Sequence, residues 1–345
     1  MKKITYENSG VNIDNADDTK REFAKILNKK NSVMINKIGA FASVIDVGFL
    51  KKFKNPVMVL KTEEPGSKQK LAVQYNKIEN ICYDMINHLT NDILVMGAAP
   101  YTVQDAIICG NIDKDITSKL VKYISEACEY NGSVLTGGET SEQPVVVDKG
   151  TYILTSSIVG FAERDEIIDG SDIKEGDTVL ALASSGVHTN GYSFLRMMMK
   201  QEPGIIDELI GGERFIDVIL KPHRSYYKEL IGLFSNKNLL GMAHITGGGI
   251  AGNLNRILPE NLSAEVDVSK IQVLPIFKFI HQKSGADDAE MLKTFNMGVG
   301  MTVVVKKGSE NEFIRHFGAF NLNSYIIGRI VKGDKTVKLA SMLKY

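Results

Sequence analysis

The chain shows no excess of charge of either sign. Lys plus Arg and Asp plus Glu each number 41, for a formal net charge of +0. Nucleic-acid binders usually present a basic excess or stripe, so this balance argues against one while leaving room for a local basic pocket. Cysteine is scarce. Cys82, Cys109 and Cys128 are odd in number and have no C-x-x-C spacing, which argues against a disulfide framework or a structural zinc site. Three reduced core thiols in a cytoplasmic protein are the expectation. No apolar run approaches the ~20 residues that span a bilayer, so no membrane contact is expected. The two lysines of MKKITYENSG are not followed by the apolar stretch of a signal peptide. Internal repeats, low-complexity tracts and Pro-rich linkers are lacking too. So are the P-loop string G-x-x-x-x-G-K-[ST], the protein-kinase signatures and the G-x-S-x-G elbow. GGGIAG does fit G-x-G-x-x-G at Gly247, Gly249 and Gly252. It sits mid-chain after a short segment containing His and Thr, not after a clear βαβ strand, so a nicotinamide fold is not expected.

What is present reads as two domains. The length is 345 residues with 43% hydrophobic content, enough for two ordinary cores. An extended stretch, 56–61, meets the polar turn TEEPGSK (62–68). A helix is expected at roughly 77–96, a strand over 102–109, and an amphipathic helix over about 115–130 stopped by Asn131-Gly132. SVLT then leads into GGET (137–140), and TYILTSSIVGFA closes the half as β structure. The polar segment 162–177 marks the boundary, giving domains 1–168 and 169–345. The second half opens with strand TVLALA, then SSGVHTNGYS and a helix. A further helix near 221–235, a short strand before TGGGIAGN, and a closing β–α–β run complete it. Both halves mix sheet and helix, so the fold class is α/β or α+β.

Three features could carry chemistry. On the helix at 77–96, Asp84, His88 and Asp92 recur at i, i+4, i+8 and share a face, with Asn91 beside them. A Mg²⁺ ion would suit such carboxylates; spacing alone favours a solvated face with a local His–Asp contact. Second, GGET, SSGVHTNGYS and TGGGIAGN are Gly-rich turns after strands, two of them opening helices. Glycines let backbone N–H groups approach an anion, and helix N-termini favour negative charge, so together they point to a phosphate-rich ligand. Third, TEEPGSKQK (62–70) combines two carboxylates, a Gly and two lysines; alone it reads as an exposed charged turn. His223, His281 and His316 are expected as packing or surface residues, and RMMMK (196–200) as a buried helix face.

Taken in order, these strings resemble the phosphoribosylformylglycinamidine cyclo-ligase (aminoimidazole ribonucleotide synthetase) family. YENSGVNID (6–14) looks like its opening. The run from Asp84 through Asn91-Asp92 to MGAAP (96–100) resembles its "D…ND…GAEP". GGETSEQP matches "GGET-x-E-x-P", SSGVHTNGYSFLR resembles "SSG-x-HSNGYSLVR", HITGGG resembles "HLTGGG", and EMLKTFNMGVGM (290–301) resembles "EM-x-x-TFN-x-GVGM". The resemblance covers nearly the whole chain. It departs where TEEPGSK replaces the family's "TDGVGTK", keeping a carboxylate at Glu63 and retaining Gly66 and Lys68, with Ser67 for Thr. The loop NKIGAFAS (36–43) is also poorer in Gly than the family's.

The resemblance implies a two-domain fold and a homodimer built through the N-terminal domains, with ATP and Mg²⁺ bound in a cleft near them. The implied reaction closes formylglycinamidine ribonucleotide (FGAM) to 5-aminoimidazole ribonucleotide (AIR) as ATP becomes ADP and phosphate. A related small-molecule kinase and a non-catalytic nucleotide-binding paralogue are the rival readings. By the same resemblance, Asp92, Glu63 and Asp84 hold Mg²⁺. Glu63, Gly66, Ser67, Lys68, Asn91, Gly137, Gly138, Glu139 and Thr140 form the nucleotide site, with Lys68 neutralising the transferring phosphoryl. Ser185, His188, Thr189, Asn190, Ser193, Thr246, Gly247 and Gly248 hold the substrate. His188 or His244 moves the proton released at ring closure.

Overall fold

The computed structural model describes residues 33–37 and 39–345. The opening YENSGVNID string and Ile38 lie outside the described residues. The chain divides into two compact units: Met1–Ile93 with Ala99–Asp165, and Leu94–Ala98 with Glu166–Tyr345.

Unit 1 contains β1 (Pro56–Glu63), α1 (Lys68–Gln74), α2 (Ile78–Leu94), β2 (Ala99–Cys109), α3 (Lys114–Tyr130), β3 (Val134–Glu142) and β4 (Tyr152–Glu163). Its sheet runs β1-β4-β2-β3, with β2 and β3 parallel and the other pairs antiparallel. α2 forms because Ile81, Cys82, Met85, Ile86, Leu89 and Ile93 recur at helical spacing, and all six are fully buried. Each such side chain contributes about 1.5–3 kcal/mol. α3 starts where the Asp113 side chain accepts hydrogen bonds from Asp115 N–H and Ile116 N–H, a side-chain cap for otherwise orphaned donors.

GGET does not form the turn its glycines suggested. It lies inside β3, paired in parallel with β2 so that Asp105 stands opposite Gly138. A Cβ on Gly138 would lie 2.1 Å from Asp105 Oδ1, so only glycine lets the ladder close there.

Unit 2 contains β5 (Thr178–Ala183), α4 (Tyr192–Gln201), the short hairpin β6 (Leu209–Ile210) and β7 (Glu213–Arg214), α5 (Phe215–Ile219) and α6 (Tyr227–Leu230). It continues with β8 (Leu239–His244), α7 (Gly249–Leu254), β9 (Leu262–Asp267), α8 (Pro275–Ser284), α9 (Asp288–Thr294), β10 (Val299–Val305), α10 (Glu310–Ala319), β11 (Ser324–Lys332) and β12 (Val337–Ala340). Its six-stranded sheet runs β12-β9-β11-β5-β10-β8, antiparallel except for the β12–β9 pair. β5, β8 and β10 are nearly continuous apolar runs, as buried strands require. One side packs Leu180, Leu182, Met242, Met301, Val303, Tyr226, Leu230, Phe313 and Phe317 into a single core.

The helix expected near 221–235 shrinks to the four residues of α6. Pro222 disfavours helix in its predecessor, and residues 222–226 run as irregular chain. In RMMMK only Met198 is buried, while Met197 is 61% exposed, so the run is not one buried face.

Candidate active-site residues of the two units

In unit 1, strand alternation turns Lys61 and Glu63 of β1 to the sheet face on which α2 packs. On that face Ser156, opposite Glu63 in the ladder, donates its hydroxyl to Met85 Sδ. Lys61 Nζ lies 3.0 Å from Glu63 Oε2 and 3.0 Å from Asp92 Oδ2. His88 Nε2 is 3.9 and 3.8 Å from the same two oxygens. Burial pulls the Lys61 pKa down, but hydrogen bonds to Glu63 and Asp92 outweigh it and leave the value raised. Glu64, the next carboxylate, is exposed; its backbone N–H donates to Glu63 Oε1 at 3.3 Å. Two hard, partly exposed carboxylates thus converge on one point where a cation already stands. That donor set fits Mg²⁺, which takes one or two carboxylates together with phosphate oxygens.

Two residues of the expected nucleotide and metal set are placed elsewhere. Lys68 and Asp84 are both completely buried, with Lys68 Nζ 2.8 Å from each Asp84 carboxylate oxygen. Desolvation lowers the Lys68 pKa against the opposing pull of Asp84. The ammonium and carboxylate face each other inside the fold and not a solvent-filled pocket. The reason is position on the helix: Asp84 precedes His88 and Asp92 by one and two turns, and the stripe runs from core to surface. Asn91 is likewise fully buried. Ser67 stands at the N-cap of α1 without a side-chain cap bond, next to Gly66 in the left-handed region at φ +64.

Gly137, Gly138, Glu139 and Thr140 lie on β3, the sheet edge opposite β1. With strands about 4.8 Å apart, three spacings separate them from Glu63, roughly 14 Å. The sheet therefore does not bring the two parts of the expected nucleotide set together. Beneath Gly138, burial pushes the Asp105 carboxyl up to about 7.

In unit 2 the expected substrate loops meet. Ser184 Oγ donates to Asn296 Oδ1 at 2.9 Å, and Asn296 Nδ2 donates to Gly186 O at 2.8 Å. The Asn of TFN thus clamps the SSG turn. Asn253 does the same for TGGG: its Nδ2 donates to Gly247 O at 3.2 Å and Gly249 O at 2.9 Å. Thr246 Oγ1 bonds Asn253 Oδ1 at 3.3 Å. Gly247 approaches Asn190, and a Cβ there would lie 3.5 Å from Asn190 Oδ1. Ser185 Oγ donates to Pro222 O at 2.8 Å, and exposed Ser193 accepts from Arg196 at 3.2 Å. α4 spans ten residues, whereas α7 has only six, too short for its dipole to hold a phosphate.

His188 and His244 are both buried and share a neighbour. His223 Nε2 lies 2.8 Å from His244 Nε2, and the His223 ring stacks on His188 at 3.9 Å. Gly300 makes room for this group: a Cβ there would lie 2.7 Å from His188 Cε1 and 2.0 Å from the Tyr226 hydroxyl. The packing role expected of His223 misses its polar partner. So does the strand reading of Lys61, and neither Asn253 nor Asp105 carried a signal beyond its place near a Gly-rich string. His316 and His281 fit the packing expectation, bonding Glu229 O at 2.7 Å and stacking on Tyr345.

Residues 42–162 match the AIR synthase related protein N-terminal domain, and residues 174–339 match its C-terminal domain. The chain is 41% identical over 305 residues to a phosphoribosylformylglycinamidine cyclo-ligase of Methylobacillus flagellatus, covering 88% of this chain and 87% of that one. It is 38% identical over 330 residues to a protein of the same name from Burkholderia cenocepacia, at 95% and 93% coverage. The crystal structure of hydrogenase maturation protein HypE in complex with ATP superposes with a TM-score of 0.63 at 16% identity, covering 94% of this chain and 92% of that one; this likeness shows the fold.

Proposed function

This chain belongs to the phosphoribosylformylglycinamidine cyclo-ligase family and is a ligase of purine biosynthesis, and from that premise we propose that it uses Mg-ATP to close FGAM to AIR. The observation that carries the metal and nucleotide part is the convergence of Glu63 and Asp92 on one cation position. The ATP complex of the HypE structure supports nucleotide binding by this fold.

An amide oxygen is a poor leaving group. Transfer of the γ-phosphoryl to the formyl oxygen of FGAM converts it into a good one. The amidine nitrogen then attacks that carbon, the C–O bond breaks, and phosphate departs as the ring closes. The protein's task is positioning and charge neutralisation. Glu63 and Asp92 would hold Mg²⁺, which supplies neutralisation of phosphate charge. Lys61 keeps the two carboxylates together. In unit 2, Ser185, Thr189 and Asn190 on the SSGVHTN turn, and Thr246 on the TGGG turn, present hydroxyl and amide groups for the ribose phosphate and glycinamidine. The buried histidines beside them handle the proton released at closure.

Two further readings accompany this one. Met58 and Leu60 are 58% and 66% exposed on the β1 face opposite α2, with Val159 beside Leu60, an apolar surface suited to a second copy of the chain. A homodimer through unit 1 is our reading. Cys82, Cys109 and Cys128 are all buried free thiols, consistent with a cytoplasmic location, and no helix among the described residues is long and apolar enough to cross a membrane.

The test is ADP release with Mg-ATP, with and without FGAM, while AIR is followed by diazo coupling. Equal amounts of ADP and AIR, dependent on FGAM, support the reading. ADP without AIR indicates a kinase acting on another acceptor. Binding of ATP without turnover indicates a non-catalytic nucleotide-binding protein.

A further inference from the structure

The two candidate proton carriers of unit 2 are not equivalent, and the difference lies in what faces their nitrogens. The backbone N–H of Ser185 donates to His188 Nε2 at 3.2 Å, and the N–H of Arg224 points at the same atom from 3.5 Å. An atom that accepts two N–H groups must present a lone pair, so the proton of His188 sits on Nδ1. The ring is further held by a left-handed backbone at φ +62, the stack on His223 at an interplanar angle of 23°, and the absence of any Cβ at Gly300. His188 is a fixed donor.

His244 is arranged differently. Its Nε2 shares one proton with His223 Nε2 across 2.8 Å. The other nitrogen of His223, Nδ1, lies 3.4 Å from Thr189 Oγ1. If Nδ1–H of His223 donates to Thr189, then His223 Nε2 is a lone pair and His244 Nε2–H must donate to it. That leaves Nδ1 of His244 as the basic nitrogen.

We infer that His223 is a positioning residue of the active site: its hydrogen bond with His244 fixes the Nε2–H tautomer of that ring and makes His244, not His188, the imidazole that takes the ring-closure proton. The inference rests on the cyclo-ligase reading. The step balances as follows. The amidine nitrogen forms the new C–N bond, and the C–O bond to the phosphorylated oxygen breaks. Phosphate leaves with that electron pair, and the proton of the attacking nitrogen passes to His244 Nδ1. A neighbour that holds a functional imidazole in one tautomer is a general device, and losing one costs about 10–100-fold in function.

Two substitutions separate the hydrogen bond from the packing. His223→Phe keeps an aromatic ring stacked on His188 and removes the acceptor. His223→Gln places an amide oxygen near the former Nε2 position and restores the acceptor without the ring. Because the chain has only 6 histidines, selective ¹⁵N-histidine labelling of the full-length protein allows each tautomer to be read by NMR. We expect His244 to be the Nε2–H tautomer in wild type and in His223→Gln, and to lose that preference in His223→Phe. With FGAM and Mg-ATP, kcat should fall about 100-fold in His223→Phe, with KM for both substrates within about twofold, and recover to within about tenfold of wild type in His223→Gln. An Nδ1–H tautomer of His244 in wild type overturns the inference, as does a kcat for His223→Phe equal to wild type. So does equal impairment of the two variants with an unchanged His244 tautomer. If wild type forms no AIR at all, the cyclo-ligase reading fails instead, and the tautomer spectra still decide whether His223 sets His244.

Discussion

Replacing Lys68 by Met tests whether the lysine at the end of TEEPGSK belongs to the core or to the nucleotide. Its ammonium lies 2.8 Å from both oxygens of Asp84, and neither residue has any solvent exposure. Removing one member of such a pair leaves a buried charge uncompensated, which costs about 3–5 kcal/mol. For a unit of this size that is a fall in Tm of roughly 6–20 °C. Replacing both members with apolar side chains of similar volume, Lys68→Met with Asp84→Leu, removes the orphaned charge and should recover most of the loss. The chain has no tryptophan, so unfolding in urea is best followed by far-UV circular dichroism. The double variant then separates the two roles. If the pair is structural, the refolded double variant keeps ATP turnover near wild type. Two results would refute the reasoning: a Lys68→Met variant within about 1 kcal/mol of wild type, or a double variant no more stable than the single one. A double variant that is stable yet inactive would return Lys68 to the transferring phosphoryl.

Three further outcomes follow from the geometry. Asp92→Asn removes one of the two carboxylates at the proposed metal position and should lower Mg-ATP turnover by about 100-fold or more while the circular dichroism melt is retained; wild-type kinetics would sink the assignment. Asp105 has its folded pKa raised from 3.8 to about 7 by burial, so its contribution to stability is most favourable at low pH and is lost as pH rises from about 4 to about 7. Asp105→Asn should therefore stabilise the protein at pH 8 by about 2 kcal/mol, each pKa unit being about 1.4 kcal/mol before relief by partial exposure, and change nothing near pH 4; equal urea midpoints at both pH values would contradict it. Gly300→Ala should cost about 1–3 kcal/mol through overpacking against Tyr226 and displace His188, so steady-state kinetics should show reduced kcat even where the protein remains folded, and an unaltered kcat would show that His188 tolerates the shift.

The sequence by itself determined the mixed α/β class and the family, because both depend on local pattern and on ordered strings. α2 is legible from an apolar period of 3.6, α3 from its stop at Asn131-Gly132, and β5 and β10 from short runs of aliphatic residues bounded by turns. These signals survive in one dimension because each element buries a face at its own period. Tertiary structure decided what the string could not hold. Glycines in GGET read as a turn, yet the parallel ladder and the Asp105 carboxyl make them strand residues. The stripe Asp84, His88, Asp92 looks uniform along the helix, yet its depth grades from the Lys68 core pair to the Glu63 carboxylate at the surface. Lys61 joins that group only because β1 turns alternate side chains toward α2. His223 and His244, 21 residues apart, meet because irregular chain at 222–226 passes beside the end of β8. Charge pairing, burial depth and histidine tautomer are properties of neighbours distant in sequence, and only the packed chain specifies those neighbours.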